Sequence, residues 1–341
     1  MAVRVLKLSR ALLLALGVIG PLGCQGDGRE VVVYSSVDQV FSEPILRSFE
    51  AGSGVRVRAV FDTEETKSTG VLNRLIAEAA NPQADVFWSG DPVRPFLLIQ
   101  RDLVEAFASP EADAIPAAFK DPEGRWTGLG ARARVLLVNR SRLGGRAAPS
   151  SIRDLARPEW RGEGAIANPL FGTTTIHVAA LATLWGDEEL RAFLDGLREN
   201  GVRIASSNGE VRRLVAAGEV TFGLTDTDDA DQAAASGAPV EVVYPDQEAG
   251  GLGTLVMPTT VVQIRGGPHP QEAKQLIDHL LSPQVEAYLA AHGAHMPLQR
   301  GVATPAGVRS ASEIRAMQVD YAEVALVIER IQPWLRSWVG L

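Results

Sequence analysis

Five short segments of this sequence are rich in small polar and acidic residues, and each follows a run that predicts a strand. They supply these candidate binding residues: Ser35, Ser36, Asp38, Ser89, Asp91, Gly172, Thr173, Thr174, Thr175, Asn208, Asp226, Asp228 and Asp229. Ser, Thr and Gly at a strand-to-helix turn can present hydroxyl and backbone N–H groups to an oxyanion. Carboxylates instead offer hard oxygen ligands to a metal ion. The segments therefore predict a binding site for a small polar solute.

Asp226, Asp228 and Asp229 form the densest group of charge among these residues. Three carboxylates within four residues repel one another, so a cation, an arginine or solvation must offset them. Arg132 and Arg134 are the candidate partners, because they lie in a run that we expect to cross between two domains.

The turns also have a purely structural explanation. Ser36 and Asp38 are residue types that cap helix N-termini, and capping is the more common role for a single turn. Gly172 and the three threonines after it offer more hydroxyls than a cap needs, so capping and anion binding both stay open there.

These turns must be positioned by strands that alternate with helices along the chain. Short β-branched runs predict strands at 31–34, 55–61, 84–88, 134–139, 164–168, 202–204, 220–224, 240–244 and 255–262. Apolar residues at helical spacing predict helices that include 65–80, 188–199, 270–281, 284–292 and 312–338. This alternation predicts an α/β protein with a parallel sheet, in which ligands bind beyond the carboxyl ends of the strands.

Composition indicates a folded, acidic protein. The chain is 46% hydrophobic and 22% charged, with a net charge of −8. The first 23 residues contain three basic residues and no acidic one, so the remainder carries about −11. This charge argues against a nucleic-acid partner, which requires clustered Lys and Arg. The remaining length of about 320 residues suits two domains of about 150 each.

The N-terminus has the pattern of an export signal. Basic residues precede the apolar run 11–19, and small residues lead to Cys24, the one cysteine of the chain. We predict a signal peptide at 1–23, lipidation of Cys24 and a tether at 24–30, which places the protein in the periplasm or at the cell surface, anchored to a membrane. The alternative is an ordinary cleaved signal, since Pro21 departs from the lipoprotein pattern.

Motifs of known catalytic sites are missing from the sequence. It lacks a Gly-x-Ser-x-Gly elbow, a P-loop lysine, a His-Glu-x-x-His motif and paired cysteines. Among the five histidines, only His292 and His295 have an i, i+3 spacing, and Gly293 between them argues against a metal site. Together with the export signal, this pattern favours binding over catalysis.

Several segments resemble the substrate-binding proteins of ATP-binding-cassette (ABC) importers, of the ferric-ion-binding type that also includes phosphonate, thiamine and polyamine binders. The resemblance covers roughly residues 30–300 and is carried by 33–36, 84–89, 158–162, 168–175, 218–220, 282–289 and 296–298. It implies a type II periplasmic-binding-protein fold. In that fold two α/β lobes, joined by crossing strands, close over a ligand and deliver it to a membrane permease.

The resemblance also implies where the lobes divide. Lobe 1 would comprise 30–128 and 256–298, and lobe 2 would comprise 129–255. The C-terminal helices of 299–341 would pack on lobe 2. The chain crosses between the lobes near 128–134 and 250–255, where several glycines allow a hinge.

One departure from the family affects the ligand. Ferric-binding members hold iron with two adjacent tyrosines in the loop that is 225–229 here, and this loop has none. The part of the family site that binds the synergistic anion does match this chain. It corresponds to Gly172 to Thr175, to Asn208 and to either Arg132 or Arg134, of which we assign Arg132 to the site. We therefore predict capture of a small anionic solute, such as a phosphonate or a sugar phosphate.

Three alternatives stay open. In the first, Asp226, Asp228 and Asp229, with Asp38 or Asp91, hold ferric iron or another metal ion together with a synergistic anion. In the second, the chain is an extracytoplasmic enzyme such as a phosphatase. In the third, the same fold serves as the sensor domain of a membrane receptor.

Overall fold

The computed structural model describes residues 28–62 and 70–340, so the predicted signal peptide and Cys24 lie outside the described residues. Ten strands are formed within these ranges: β1 Glu30–Ser35, β2 Arg56–Phe61, β3 Val86–Ser89, β4 Val104–Glu105, β5 Thr127–Asn139, β6 Gly164–Ala167, β7 Arg203–Ala205, β8 Phe222–Asp226, β9 Val240–Val243 and β10 Val256–Ile264.

The same ranges form nine α-helices, of which α4 is broken by a kink at Gly186, where φ is 79°: α1 Gln39–Ser53, α2 Gly70–Ala77, α3 Arg94–Ile99, α4 Gly172–Glu199, α5 Asn208–Ala216, α6 Thr227–Ala235, α7 Pro270–Leu280, α8 Pro283–Gly293 and α9 Tyr321–Val339. In the part of the chain that the structure describes, we find no helix with the length and apolar character needed to cross a membrane.

The strands form two half-sheets that share β5. The order along the path is β2-β1-β3-β10-β5-β8-β6-β7, with β4 beside β10 and β9 beside β5. Strands β1 to β3 are parallel, as are β6 to β8, whereas β5 and β10 run antiparallel to their neighbours. Residues 127–133 of β5 pair with β10, and residues 134–139 pair with β8 and β9. The α/β architecture with crossing strands is therefore confirmed.

Hydrophobic cores cover both faces of this sheet. Along β1, Val31 and Val33 belong to one buried cluster, and Val32 and Tyr34 belong to the other. A parallel strand buried on both faces requires a continuous apolar run, and this is why β1 lacks the polar–apolar alternation of a surface strand. The polar residues therefore lie at the ends of the strands.

Buried backbone contacts fix β5 against α8 and the segment that follows it. Glu286, on α8, is fully buried and accepts hydrogen bonds from the backbone N–H groups of Gly130, Leu298 and Gln299. Gly130 has a φ of 44°, and a Cβ there would lie 2.9 Å from Leu289 Cδ1. A side chain at this position would therefore strain the backbone and clash with α8.

The predicted helix over 312–338 begins later than expected, at Tyr321. The preceding residues instead pair with the chain just before β10. Thr254 donates its N–H to the Arg315 carbonyl and accepts a hydrogen bond from the Met317 N–H, both within 3.0 Å. This pairing keeps the segment extended. Helix α9 then packs against α4 and also contacts α3.

Candidate functional site

A buried guanidinium group lies where β5 enters its second half-sheet. Arg134 has no exposed side-chain area, and its Nη1 donates to Asp226 at 2.7 Å, Thr173 at 3.1 Å and Asn208 at 3.1 Å. Its Nη2 donates to the Thr174 hydroxyl at 3.2 Å. The threonine turn before α4 and the aspartate turn after β8 therefore meet at one side chain.

Asn208 and Thr173 complete this buried network. The Asn208 amide group donates to the Thr173 hydroxyl at 2.8 Å and to Asp226 Oδ2 at 3.0 Å. The Thr173 hydroxyl in turn donates to Asp226 Oδ2 at 2.8 Å. Thr173 thus uses its one donor and both of its acceptor sites, and Asp226 has partners on both oxygens.

Asp228 and Asp229 are held much less tightly than Asp226. The nearest guanidinium to Asp228 is that of Arg132 at 3.7 Å, and the nearest to Asp229 is that of Arg212 at 3.9 Å. Asp228 Oδ1 is buried without a hydrogen-bond partner, whereas Asp229 accepts one from the Thr225 hydroxyl at 3.2 Å. These two carboxylates retain most of their capacity to bind a ligand.

Both of these loosely held carboxylates have a raised pKa. Burial raises the pKa of Asp228, an effect that Arg132 opposes and Asp226 reinforces. Burial, together with Asp228 and Asp226, raises the pKa of Asp229 to about 7. The ionised cluster is costly in the absence of a cation, because desolvation and like charge both disfavour it.

Residues of the first half-sheet approach the same point. Arg132 Nη2 donates to the Gly90 carbonyl at 2.8 Å, while its Nη1 faces Asp228. Burial lowers the pKa of Arg132, but the carboxylates of Asp228, Asp226, Asp38 and Asp91 together raise it well above its ordinary value. Asp38, before α1, also acts electrostatically on Asp228. The acidic groups of the two half-sheets therefore face one another.

Some of the predicted site residues serve local structure. The Ser35, Ser36 and Ser89 hydroxyls accept hydrogen bonds from the backbone N–H groups of Val37, Gly90 and Asp91. Asp91 accepts from the N–H groups of Val93 and Arg94 and pairs with the Arg94 guanidinium. Thr175 donates to the Pro169 carbonyl at 2.8 Å. Asp38 is the N-cap residue of α1 but makes no side-chain cap hydrogen bond.

Gly90 allows the two turns of the first half-sheet to meet. A Cβ at Gly90 would lie 2.8 Å from the Ser36 carbonyl oxygen, too close for any side chain. The Gly90 carbonyl is thereby presented to Arg132. Gly172, by contrast, begins α4 with a φ of 59° and open space where a Cβ would be, so its contribution is backbone conformation alone.

The chemistry of the aspartate cluster fits a hard cation. Asp226, Asp228 and Asp229 each offer a carboxylate oxygen, and these oxygens lie within 4.8 Å of one another. Such oxygens suit hard metal ions. Two of the four tyrosine hydroxyls donate to groups outside this cluster: Tyr34 to Glu78, and Tyr321 to the Val256 carbonyl.

Sequence reasoning missed one buried histidine beside this cleft. His295 lies against Gly130, and its ring interacts electrostatically with Arg132 and Asp38. Burial and Arg132 lower the pKa of His295 to about 3, although Asp38 opposes them, so the ring is neutral. Its spacing from the other histidines carried no signal, because its neighbours in the site come from distant parts of the chain.

The two half-sheets, with the polar turns that meet between them, define a two-lobe α/β protein. A family model of bacterial extracellular solute-binding proteins matches residues 81–323. The chain belongs to this family, whose members bind solutes for transport and are not enzymes. The predicted class is confirmed, and the family finding argues against the phosphatase alternative.

Individual relatives differ in the solutes that their names state. Iron uptake protein A1 of Synechocystis sp. is 28% identical over 306 residues, covering 85% of this chain and 82% of the relative. A Salmonella typhi periplasmic protein, whose name assigns it 2-aminoethylphosphonate binding, is 24% identical over 340 residues, covering 98% and 94%. Iron-bound HitA of Pseudomonas aeruginosa shares the fold, with a TM-score of 0.79, 22% identity, and coverage of 92% and 100%. The predicted type II fold is confirmed.

Proposed function

We propose that this chain is the solute-binding subunit of an ABC importer and that its cargo is a hard metal cation, with ferric iron as the first candidate. One observation carries the proposal. Asp228 and Asp229 form a partly buried carboxylate pair whose nearest guanidinium groups lie at 3.7 and 3.9 Å, beyond hydrogen-bonding distance. A cation would relieve both their desolvation and their mutual repulsion.

The contacts of Asp226 favour a different role for it. Because both of its oxygens are bonded to Arg134, Thr173 and Asn208, we assign it to the structure of the site. The cargo ligands would then be Asp228 and Asp229, with Asp38 approaching from the opposite lobe. Iron uptake protein A1, at 28% identity, supports iron as the first metal to test.

The sequence-based preference for an anionic solute remains a prediction. Its strongest support is the group formed by Arg134, Thr173, Thr174 and Asn208, whose donor types are those that recognise oxyanions. In this structure Arg134, Thr173 and Asn208 already donate to Asp226. The geometry therefore supports the metal cation better than the anion.

Equilibrium dialysis separates these proposals. Wild-type protein is dialysed against Fe(III)-citrate, 2-aminoethylphosphonate and a sugar phosphate in separate arms. We expect retention of iron, and a loss of affinity of about tenfold or more in Asp228→Asn, equivalent to about 1.4 kcal/mol. Asp231→Asn, an exposed change of the same charge on α6, is the matched control and should bind as wild type does.

Two results would overturn the metal proposal. One is retention of the sugar phosphate or the phosphonate without retention of iron. The other is iron binding that Asp228→Asn and Asp231→Asn leave equally unchanged.

Membrane attachment and delivery belong to the same proposal. Residues 1–23 would direct export, Cys24 would carry the lipid, and the loaded protein would deliver its cargo to a membrane permease. The support is the N-terminal sequence pattern and the family to which the chain belongs. We likewise keep the lobe boundaries, 30–128 with 256–298 and 129–255, as a proposal.

A further inference from the structure

The polar groups around Arg134 are of the types that recognise an oxyanion. The Arg134 guanidinium lies within hydrogen-bonding distance of the Thr173 hydroxyl, the Thr174 hydroxyl and the Asn208 amide, and that amide also donates to Thr173. Groups of this kind bind phosphate or carboxylate through several charge-assisted hydrogen bonds. An oxyanion does occupy the group here, and it is the side chain of Asp226, a residue of the chain itself.

We propose that Asp226 is a built-in anion: its carboxylate occupies the position that a free oxyanion would take on Arg134, so the cleft binds its cargo without an accompanying anion. Asp226 Oδ1 accepts from Arg134 at 2.7 Å, and Asp226 Oδ2 accepts from Thr173 and Asn208 at 2.8 and 3.0 Å. The part of this inference that concerns cargo rests on the proposed function. The occupation of Arg134 by Asp226 does not.

Burial makes this occupation difficult to reverse. The side chains of Arg134 and Asp226 are 0% and 3% exposed. A free anion could take the Nη1 donor of Arg134 only by displacing Asp226, which would leave a buried carboxylate without partners. Intramolecular linkage also gives Asp226 a high effective concentration that a dilute solute anion cannot match.

The charge balance of the cleft follows from this arrangement. Arg134 is neutralised within its own lobe, so it contributes no net positive charge for a solute. Besides this pair, the charged groups of the cleft include the carboxylates of Asp228, Asp229 and Asp38 and the guanidinium groups of Arg132 and Arg212. The site therefore selects for positive charge, and Asp226 is a specificity-determining residue that sets this sign.

Thermal unfolding with inorganic phosphate as the probe tests the inference without any cargo. Wild type, Asp226→Asn and the control Asp231→Asn are each melted in phosphate and in chloride at equal ionic strength. We expect Asp226→Asn to be stabilised by about 2 °C or more in phosphate, because the vacated group then binds the free anion. Wild type and Asp231→Asn should melt at the same temperature in both salts.

A further variant guards against a general salt effect. Arg134→Gln combined with Asp226→Asn removes both charges and should fold without any response to phosphate. Specific stabilisation of wild type by phosphate would overturn the inference, as would an Asp226→Asn protein that folds but ignores phosphate. If Asp226→Asn does not fold in either salt, the test rests on wild type alone. Stabilisation of wild type by phosphate then overturns the inference, and equal melting in both salts supports it. A wild type that binds no metal contradicts the proposed function and leaves the phosphate result intact.

Discussion

Two arginines separated by one residue on β5 meet the acidic turn in different ways. Side chains at i and i+2 of a strand project to the same face, so Arg132 and Arg134 both point towards Asp226 and Asp228. Arg134 is fully buried and bonds directly to Asp226, whereas Arg132 is 18% exposed and stays 3.7 Å from Asp228. Depth in the cleft thus separates a structural ion pair from a carboxylate that remains available to a ligand.

The raised pKa of Asp229 predicts how the stability of the solute-free protein depends on pH. An aspartate in an unfolded chain titrates near 3.9, and Asp229 titrates at about 7 in the folded protein. Protonation therefore favours the folded state, and the stability contributed by this group is lost as the pH rises from about 4 through 7.

We expect Asp229→Asn to remove this loss of stability. At pH 8 the variant should melt at a higher temperature than wild type, by about 2–4 °C for each kcal/mol gained. At pH 5 the difference should shrink. Asp231→Asn is the control for charge, and a variant that melts below wild type at pH 8 would contradict the assigned acidity.

The residue types of the site could be predicted from the sequence, but their pairing could not. Small polar and acidic residues after predicted strands identify the turns, because strand ends meet at one edge of a parallel sheet. The choice of Arg134 rather than Arg132 as the partner of Asp226 depends on which residue of β5 faces β8. That register appears only in the folded sheet, where Arg134 lies opposite Asp226.

At the scale of elements, β5 carries the connection between the half-sheets. Near residue 133, β5 stops pairing with β10 and begins pairing with β8. Glu286 fixes the nearby Gly130 through a buried hydrogen bond of 2.9 Å. The same carboxylate binds the chain at Leu298 and Gln299. Helix α8 therefore stabilises the crossing strand next to Arg132.

Loss of the Glu286 carboxylate should destabilise the whole fold. Glu286→Ala leaves three backbone N–H groups without their partner, and each such buried group costs about 1–3 kcal/mol. We expect the free energy of unfolding in urea to fall by about 3 kcal/mol or more. Glu286→Gln, which keeps one acceptor oxygen, should lose less, and Glu329→Ala on the exposed side of α9 should have little effect. Equal losses in Glu286→Ala and Glu329→Ala would contradict this role.

Elements were predicted best where local pattern and tertiary contacts agree. The β-branched run before Ser35 forms β1, because the buried faces of a parallel strand demand such residues. The predicted start of the C-terminal helix was wrong, because the pairing of Arg315 and Met317 with Thr254 overrides the local helical pattern. Contacts between residues about 60 positions apart cannot be predicted from the spacing of apolar residues along the sequence.

At the scale of the whole molecule, the half-sheets and the C-terminal helix form one assembly around the cleft. Strand β5 runs from one half-sheet into the other, and α9 contacts both α3 and α4. Two-lobe binding proteins of this kind capture solutes by hinge closure around the ligand. In the proposed site, closure would bring the acidic groups of both lobes around the solute, so the sign of its charge would be set by the cleft as a whole.

Native mass spectrometry of the full chain, purified from the cells that make it, tests the central claim most directly. The mass of any bound species distinguishes a metal ion alone from a metal with an anion and from an organic solute. We predict an added mass that fits a single metal cation, present in Asp231→Asn and lost in Asp228→Asn. An added mass that fits a phosphonate or a sugar phosphate, with no metal, would contradict the account.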